Sequence, residues 1–136
     1  MADAVRLVEY YYIQVPDRPG EGIKALRHLR QARVNLRAFH AFPAGRRAQL
    51  NFVPSAPAAL KAAARSANWT LVGPKKAFLI QGKDRTGALI DHYAALAEAK
   101  VNVTAADAVG AGGRFAAIVW VDPRDLRRAA KALRAS

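Results

Sequence analysis

Hydrophobic and polar positions along the chain follow two alternating periods, which predict short strands separated by amphipathic helices. Residues 9–15 are aromatic and β-branched, as is typical of a strand. After a break at residues 16–20, Ile23, Leu26 and Leu29 recur at the spacing of one helix face. The pattern then predicts strands at 33–42 and 49–53, a helix at 58–67 and a strand at 69–72, the last of them closed by Gly73-Pro74. The first half should therefore fold as β-α-β-β-α-β.

The second half repeats this pattern 67 residues later and without a gap. The predicted elements are strand 77–81, helix 88–99, strands 101–109 and 114–121, and helix 124–134. The counterpart of strand 69–72 would fall at 136–139, so we expect the second unit to lack its last strand and leave an unpaired edge. The prediction is an α+β fold of two ferredoxin-like βαββαβ units in tandem, with antiparallel sheets and helices on one face. Residues 1–74 would form the first unit and residues 75–136 the second.

Two features of the second unit predict association. Residues 4–8 could pair with its open edge, because they precede the first strand much as residues 69–72 precede strand 77–81. No Gly or Pro separates them from Tyr10, however, so one long first strand is the simpler prediction. Strand 114–121 is apolar on both faces, and the face with Trp120 needs cover from another sheet or a partner chain. An open edge and an uncovered face together predict a homodimer.

Composition narrows the class of protein. An apolar share of 52% in 136 residues is enough for a core. The absence of cysteine excludes disulfides, thiolate catalysis and cysteine-based zinc sites. The sequence has no apolar run of transmembrane length and does not begin like a secretory signal, so we expect a cytoplasmic protein that does not bind membranes.

A net charge of +12 is compatible with binding to nucleic acid or to an acidic partner protein. The basic residues are evenly divided, however, with 11 in residues 1–67 and 11 in residues 68–136. Most of them fall at helical spacing, which suits solvated helix faces. The richness in Ala and Arg is also typical of a GC-rich bacterial genome, and this interpretation needs no charged partner.

Polar residues are repeated as well as hydrophobic ones, and they cluster between the first strand and the second strand of each half. They are Asp17, Arg18, Gly20 and Asn35 in the first half and Asp84, Arg85, Gly87 and Asn102 in the second. Packing alone would repeat only the hydrophobic positions. We therefore expect a function that both halves share and that lies at this loop.

The loop and the strand after it resemble ACT domains, ferredoxin-like modules that bind amino acids in many metabolic regulators. The carrying residues are Asp17-Arg18-Pro19-Gly20 with Val34-Asn35, and Asp84-Arg85-Thr86-Gly87 with Val101-Asn102, where Thr86 replaces the proline common in the family. The resemblance implies a ligand pocket between this loop and a neighbouring unit. Its implied ligand-binding residues are Asp17, Gly20, Glu21, Gly22, Ile23 and Asn35 at one site, and Asp84, Gly87, Ala88, Leu89 and Asn102 at the other.

Physical chemistry supports a ligand at such a loop but also allows purely structural roles. A helix N-terminus offers free N–H groups to a carboxylate, and a glycine lets the ligand approach the backbone. Asp17 could bind the ammonium group of an amino acid. Alternatively, Asp17 caps the helix, Gly20 serves a tight turn and Asn35 opens a strand. Gly22, which a helix disfavours, makes residues 17–23 the better candidate.

Other chemistry is not favoured by the sequence. The three histidines share no metal-ligand spacing, no serine lies in a Gly-x-Ser-x-Gly motif, and no nucleophile is paired with a base. We therefore predict no metal, no cofactor and no enzymatic activity. The predicted function is a regulatory sensor that binds a small amino acid, acts as a homodimer and influences an unidentified protein partner. The alternative is a basic adaptor that binds an acidic protein or, less favoured, nucleic acid.

Overall fold

The computed structural model describes residues 3–136, which form six strands and four α-helices. The strands are β1 (Ala4–Pro16), β2 (Leu36–Ala44), β3 (Arg47–Pro54), β4 (Val72–Lys83), β5 (Val103–Ala111) and β6 (Arg114–Val121). The helices are α1 (Glu21–Gln31), α2 (Pro57–Ser66), α3 (Ile90–Glu98) and α4 (Leu126–Leu133), and a 3-10 turn at Pro123–Asp125 precedes α4. No helix in residues 3–136 is long and apolar enough to span a membrane.

The chain divides into two compact units, and β1 and β4 each contribute to both. The first unit is Glu9–Lys75, and the second unit combines residues 3–8 with Lys76–Ser136. Along β4 the first unit ends at Lys75, one residue after the boundary predicted between residues 74 and 75. Residues 3–8 group with the second unit, whereas the sequence assigned them to the first.

In the first unit the strands are ordered β2-β3-β1-β4, with β2–β3 and β3–β1 antiparallel. Alternate residues of β1 and β3 point to one face of the sheet, where Tyr11, Ile13, Leu50 and Phe52 are buried. Helices α1 and α2 cover this face with small and aliphatic side chains such as Leu29 and Leu60. The result is the predicted α+β arrangement with helices on one face.

In the second unit residues 4–8 of β1 take the place of the missing last strand. The order is β1-β4-β6-β5, so the edge of β4 that the sequence left unpaired is occupied. Val5 is buried in a core that includes Phe78 and Leu133. The backbones of residues 5–7 also bond to Ser136, through Ser136 N to Val5 O (3.0 Å) and Leu7 N to Ser136 O (3.1 Å). The prediction of an open edge is therefore wrong, and one long first strand is the reason, because its start extends alongside β4.

The prediction that Gly73-Pro74 ends a strand is also wrong. Strand β4 begins at Val72, later than predicted, and continues through both residues to Lys83. Gly73 lies where a Cβ atom would be 2.7 Å from Cδ2 of Tyr11 and 2.9 Å from the carbonyl oxygen of Tyr10. The absence of a side chain thus lets β4 approach β1 closely.

Each helix ends at a non-glycine residue in the left-handed conformation: Arg33, Asn68, Lys100 and Arg134. The next N–H reaches back five residues, as in Val34 N to Leu29 O and Val101 N to Leu96 O, both 2.9 Å. These helix-ending turns include the residues that were predicted to begin the strands at 33 and 101. Strands β2 and β5 therefore begin later, at Leu36 and Val103.

Trp120 does not require a partner chain for its burial. Its exposed fraction is 8% within the single chain, and Ile118 on the same face of β6 is similarly buried. Of the two covers predicted for this face, another sheet or a partner chain, the partner chain is not needed, and because the edge of β4 is also occupied, neither sequence argument for a homodimer remains.

Candidate functional site

The first candidate loop connects β1 to α1 through a left-handed glycine. Gly20 has φ 93° and occupies the N-cap position immediately before the helix, where it has no side chain to accept a hydrogen bond from the first turn. Asp17 lies three residues before the cap position, so the structural alternative that it caps α1 does not hold, and it is exposed at the same loop. Gly20 does have a structural reason, since a positive φ disfavours every residue with a side chain. Asp17 is left without this structural role.

The start of α1 presents backbone donors beside two glycines that have open space around their Cβ positions. Within residues 3–136, the N–H groups of Gly22 and Ile23 have no hydrogen-bond acceptor, whereas Glu21 N and Lys24 N bond to carbonyl oxygens of the loop. A Cβ atom built on Gly20 or Gly22 would meet nothing within 4 Å. Gly22 therefore has no packing reason to be glycine, although glycine costs a helix about 1 kcal/mol relative to alanine. This arrangement can accept an anion.

Glu21 introduces a carboxylate at the same helix end, and two basic residues hold it. Arg18 Nε donates to Glu21 Oε2 at 2.8 Å, and Lys24 Nζ lies 3.4 Å from Oε1. The hydrogen bond from Arg18 lowers the pKa of Glu21 below its usual value. Glu21 is thus an ionised, paired group whose charge is partly neutralised beside the free donors.

The second loop has a related but different geometry. Gly87 is again left-handed (φ 73°), but α3 begins only at Ile90, so that Ala88 and Leu89 lie in a turn. A Cβ atom on Gly87 would be 2.8 Å from Cδ1 of Ile90. Ala88 and Leu89 pack against the core of the second unit. This loop is therefore more closely filled than the first.

The remaining candidates occupy varied positions. Asn35 donates from Nδ2 to Ser55 Oγ at 2.9 Å, and its carbonyl accepts from Ser55 N at 2.9 Å, so it joins the loop before β2 to the loop after β3. Asn102 is exposed just before β5. Asp84 is exposed, and its backbone N–H bonds to Gly113 O at 3.0 Å. Asn35 has a clear structural role, and Asn102 and Asp84 lie at the equivalent end of the second unit.

A polar cluster that the sequence did not reveal lies beside the second loop. Arg85 donates from both terminal nitrogens to the two carboxylate oxygens of Asp3 (3.1 and 3.0 Å), and His92 Nε2 donates to Oδ2 at 2.7 Å. The Asp3 side chain is only 4% exposed. The hydrogen bonds, chiefly that from Arg85, hold the pKa of Asp3 below its usual value in spite of burial. The repetition of Arg18 at Arg85 was the available signal, whereas Asp3 and His92 lie outside the repeated polar set.

Three surface clefts lie near these groups. One of about 470 Å³ in the first unit is lined by residues 12–15, Arg47 and residues 68–70 with Val72. One of about 680 Å³ in the second unit borders Asp3, Arg85 and His92, and one of about 160 Å³ lies beside β5 and β6. None of the eleven residues proposed from the sequence lines these three clefts. Within residues 3–136 no three His, Asp or Glu side chains come close enough to hold a metal ion.

Comparison with known proteins gives the fold its context. The structure is similar to that of a protein from Bacteroides thetaiotaomicron, with a TM-score of 0.82, 14% identity, and coverage of 96% of this chain and 88% of that one. It is also similar to the regulatory subunits of aspartate kinase from Thermus thermophilus (TM-score 0.66, 14% identity, 98% and 96% covered) and Thermus flavus (TM-score 0.61, 17% identity, 98% and 95% covered). No protein-family profile and no curated protein matches the sequence. At these identities the likeness shows a shared fold.

Proposed function

We propose that the protein is a cytoplasmic, non-catalytic sensor that binds a small amino acid at the loop between β1 and α1. The observation that carries the proposal is the pair of free N–H groups of Gly22 and Ile23, beside two glycines whose Cβ positions have no neighbour within 4 Å. A ligand carboxylate would accept from these donors and benefit from the positive end of the helix dipole. The ammonium group would bind Asp17, whose carboxylate does not cap the helix.

The second loop is proposed as a weaker site of the same kind. Gly87 and Asp84 repeat the glycine and the carboxylate, but the turn at Ala88 and Leu89 packs on the core. A ligand there would need the turn to move. Asn35 and Asn102 would border the two sites, with Asn35 already oriented by Ser55.

The shared fold supports a regulatory role. Two proteins with this fold over nearly their whole length are regulatory subunits of aspartate kinase, and one of them was solved in a ligand-free form. Transfer of that role to this chain predicts that ligand binding changes its interaction with a protein partner.

The homodimer remains part of the proposal, now supported by a different surface. Ile23 and Leu26 on α1 and Ile90 and Tyr93 on α3 occupy equivalent positions 67 residues apart, and all four are substantially exposed. Exposed apolar side chains at repeated positions favour association. We expect sedimentation at about twice the 14.7 kDa chain mass. Ile90→Glu should shift the protein towards monomer, because Ile90 is 67% exposed and its replacement disturbs no core.

Val109→Glu is the matched control for the dimer, since Val109 is 63% exposed on β5. It should leave sedimentation unchanged if the helix surface forms the contact. A wild-type monomer at micromolar concentration would contradict the dimer, and dissociation by Val109→Glu alone would move the contact to β5.

The amino-acid site is tested by Gly20→Val. We expect this substitution to abolish amino-acid binding, because a branched side chain would fill the space above the free N–H groups. A thermal-shift screen of the twenty amino acids would first identify the ligand, since a ligand at 100 times its dissociation constant stabilises a protein by about 2.7 kcal/mol. Calorimetry on the variant would then measure the loss, and Gly87→Val should have the smaller effect.

Two further variants separate binding from stability. Gly45→Val places the same residue at another left-handed glycine with open space around it (φ 65°), in the turn between β2 and β3. It should cost similar stability, about 1–2 kcal/mol, and leave affinity unchanged. Gly22→Ala should stabilise α1 by about 0.5–1 kcal/mol and still weaken binding. Unchanged affinity in both the Gly20 and Gly22 variants would refute the site.

A further inference from the structure

The Asp3 carboxylate is bound in the second unit as a free carboxylic acid would be bound by a receptor. Three N–H donors from Arg85 and His92 converge on its two oxygens at 2.7–3.1 Å. Paired donation by a guanidinium is the favoured geometry for carboxylate recognition, and burial of the carboxylate strengthens it. We propose that Arg85 and His92 form a carboxylate-binding site, that Asp3 occupies it as an intramolecular ligand, and that a small free carboxylate can replace it.

The guanidinium of Arg85 is positioned by contacts that do not involve Asp3. Arg85 also donates to the carbonyl oxygen of Lys83 at 3.0 Å, and its guanidinium lies 5.7 Å from the centre of the Phe115 ring. His92 lies in the first turn of α3, so the helix fixes its backbone. The Arg85 side chain would therefore keep its orientation when Asp3 leaves.

The site depends on residues at which the second half of the chain differs from the first. Arg85 repeats Arg18, but Arg18 is bound to Glu21, whose counterpart in the second half is Ala88. The counterpart of His92 is Ala25, which is buried in the first unit. The loss of the local acid leaves Arg85 available, and the gained histidine supplies a further donor. The second unit thus has a binding site of its own, apart from the N–H groups of the first loop.

The surrounding cleft has room for a molecule larger than the carboxylate itself. It measures about 680 Å³ and is also lined by Ala95, Leu133, Asp91 and Arg134. The apolar side chains suit the carbon skeleton of a small acid, and the charged ones stand at the rim to meet further polar groups.

Occupation by a free acid would change the start of β1. Asp3 directly precedes residues 4–8, which complete the sheet of the second unit. Its ion pair with Arg85 anchors the beginning of that strand. A competing carboxylate would remove the anchor while Val5 stays in the core, so the strand end would loosen without general unfolding. The site therefore couples a small acid to the order of the chain's first strand.

The experiment opens the site by removing its internal ligand. In the full-length Asp3→Ala variant, sodium acetate should bind in calorimetry and raise the melting temperature relative to sodium chloride at equal ionic strength. Asp3→Asn is the matched control, because the amide fills the same volume and should prevent acetate binding. Arg85→Gln in the Asp3→Ala background should weaken acetate binding roughly 10- to 100-fold, as expected for loss of a charged donor.

Each outcome decides the proposal. If Asp3→Ala is unfolded in chloride, recovery of its native circular dichroism spectrum in acetate supports the site, and failure to recover contradicts it. If the variant is folded, the absence of acetate binding, or equal binding by the Asp3→Asn variant, overturns the proposal. Neither result depends on the amino-acid site, which is tested at Gly20 and Gly22 in the first unit.

Discussion

Val5→Asp should unfold the second unit. Val5 is buried among Phe78, Ile80 and Leu133, although it lies more than 70 residues before them in the chain. The substitution removes apolar burial and places an unpaired carboxylate in the core, which we expect to cost about 3–5 kcal/mol. Hydrogen exchange should show the loss at Ile80 and Val119, with much less change at the first-unit residue Phe52.

Leu7→Asp is the control for this prediction. Leu7 lies two residues further along the same strand, but its side chain is 38% exposed. We therefore expect a change below about 1 kcal/mol. Equal destabilisation by both substitutions would show that the strand as a whole, and not the buried side chain, determines the effect. Full protection of Ile80 in Val5→Asp would contradict the assignment of residues 4–8 to this unit.

Gly73→Ala should strongly destabilise the first unit. Its Cβ atom would be 2.7 Å from a ring carbon of Tyr11 and 2.9 Å from the carbonyl oxygen of Tyr10, and the backbone has φ 135°. Neither neighbour can move easily, because Tyr11 is fully buried and the oxygen belongs to the backbone of β1. We expect a loss of about 2–5 kcal/mol in the free energy of unfolding. Urea denaturation followed by the fluorescence of Trp69, in a Trp120→Phe background, would measure it.

Gly45→Ala isolates the contribution of the contact from that of the backbone. Gly45 is also left-handed, but a Cβ atom there would have no neighbour within 4 Å. Its substitution should cost about 1–2 kcal/mol, which is the conformational penalty alone. A Gly73→Ala variant no less stable than Gly45→Ala would mean that β4 can move away from β1 without cost.

The tandem α+β fold could be predicted because each half carries its own periodic pattern. Strand β6 was predicted at its observed bounds, 114–121, since its apolar run lies between clear breaks. The breaks themselves were less reliable. Gly73-Pro74 interrupts a sequence pattern but not a strand, because the reason for that glycine is a neighbour more than 60 residues away.

The missing strand shows a second limit of reading the sequence as two halves. The repeat correctly indicated that the second half contains no last strand, and α4 is followed by none. The start of β1 fills the position of this missing strand. The sequence pattern of β1 does not show that its two ends belong to different units. The sequence allowed residues 4–8 to pair with the open edge, but the predicted boundary placed them in the first unit, whereas in the structure they group with the second.

The candidate site could be predicted only in part. The repeated Asp and Gly indicated the loops, and the structure provides free N–H groups at the first of them. Ligand binding by the eleven residues stays a prediction, as does the alternative of a basic adaptor. The cluster of Asp3, Arg85 and His92 could not be predicted, because its members come from three separate segments and only Arg85 is part of the repeat.

Strand β1, which begins in the second unit and ends in the first, constrains when the second unit can fold during translation. Residues 4–8 are translated before residues 76–136, which provide both the strand they pair with and the core that buries Val5. The second unit therefore cannot form until residues 76–136 are available to pair with the earlier segment. Such distant pairing slows folding and leaves apolar residues exposed in the meantime. Residues 4–8 thus stay without their partner strand until residues 76–136 have been made, and we expect chaperones to bind this segment in the meantime.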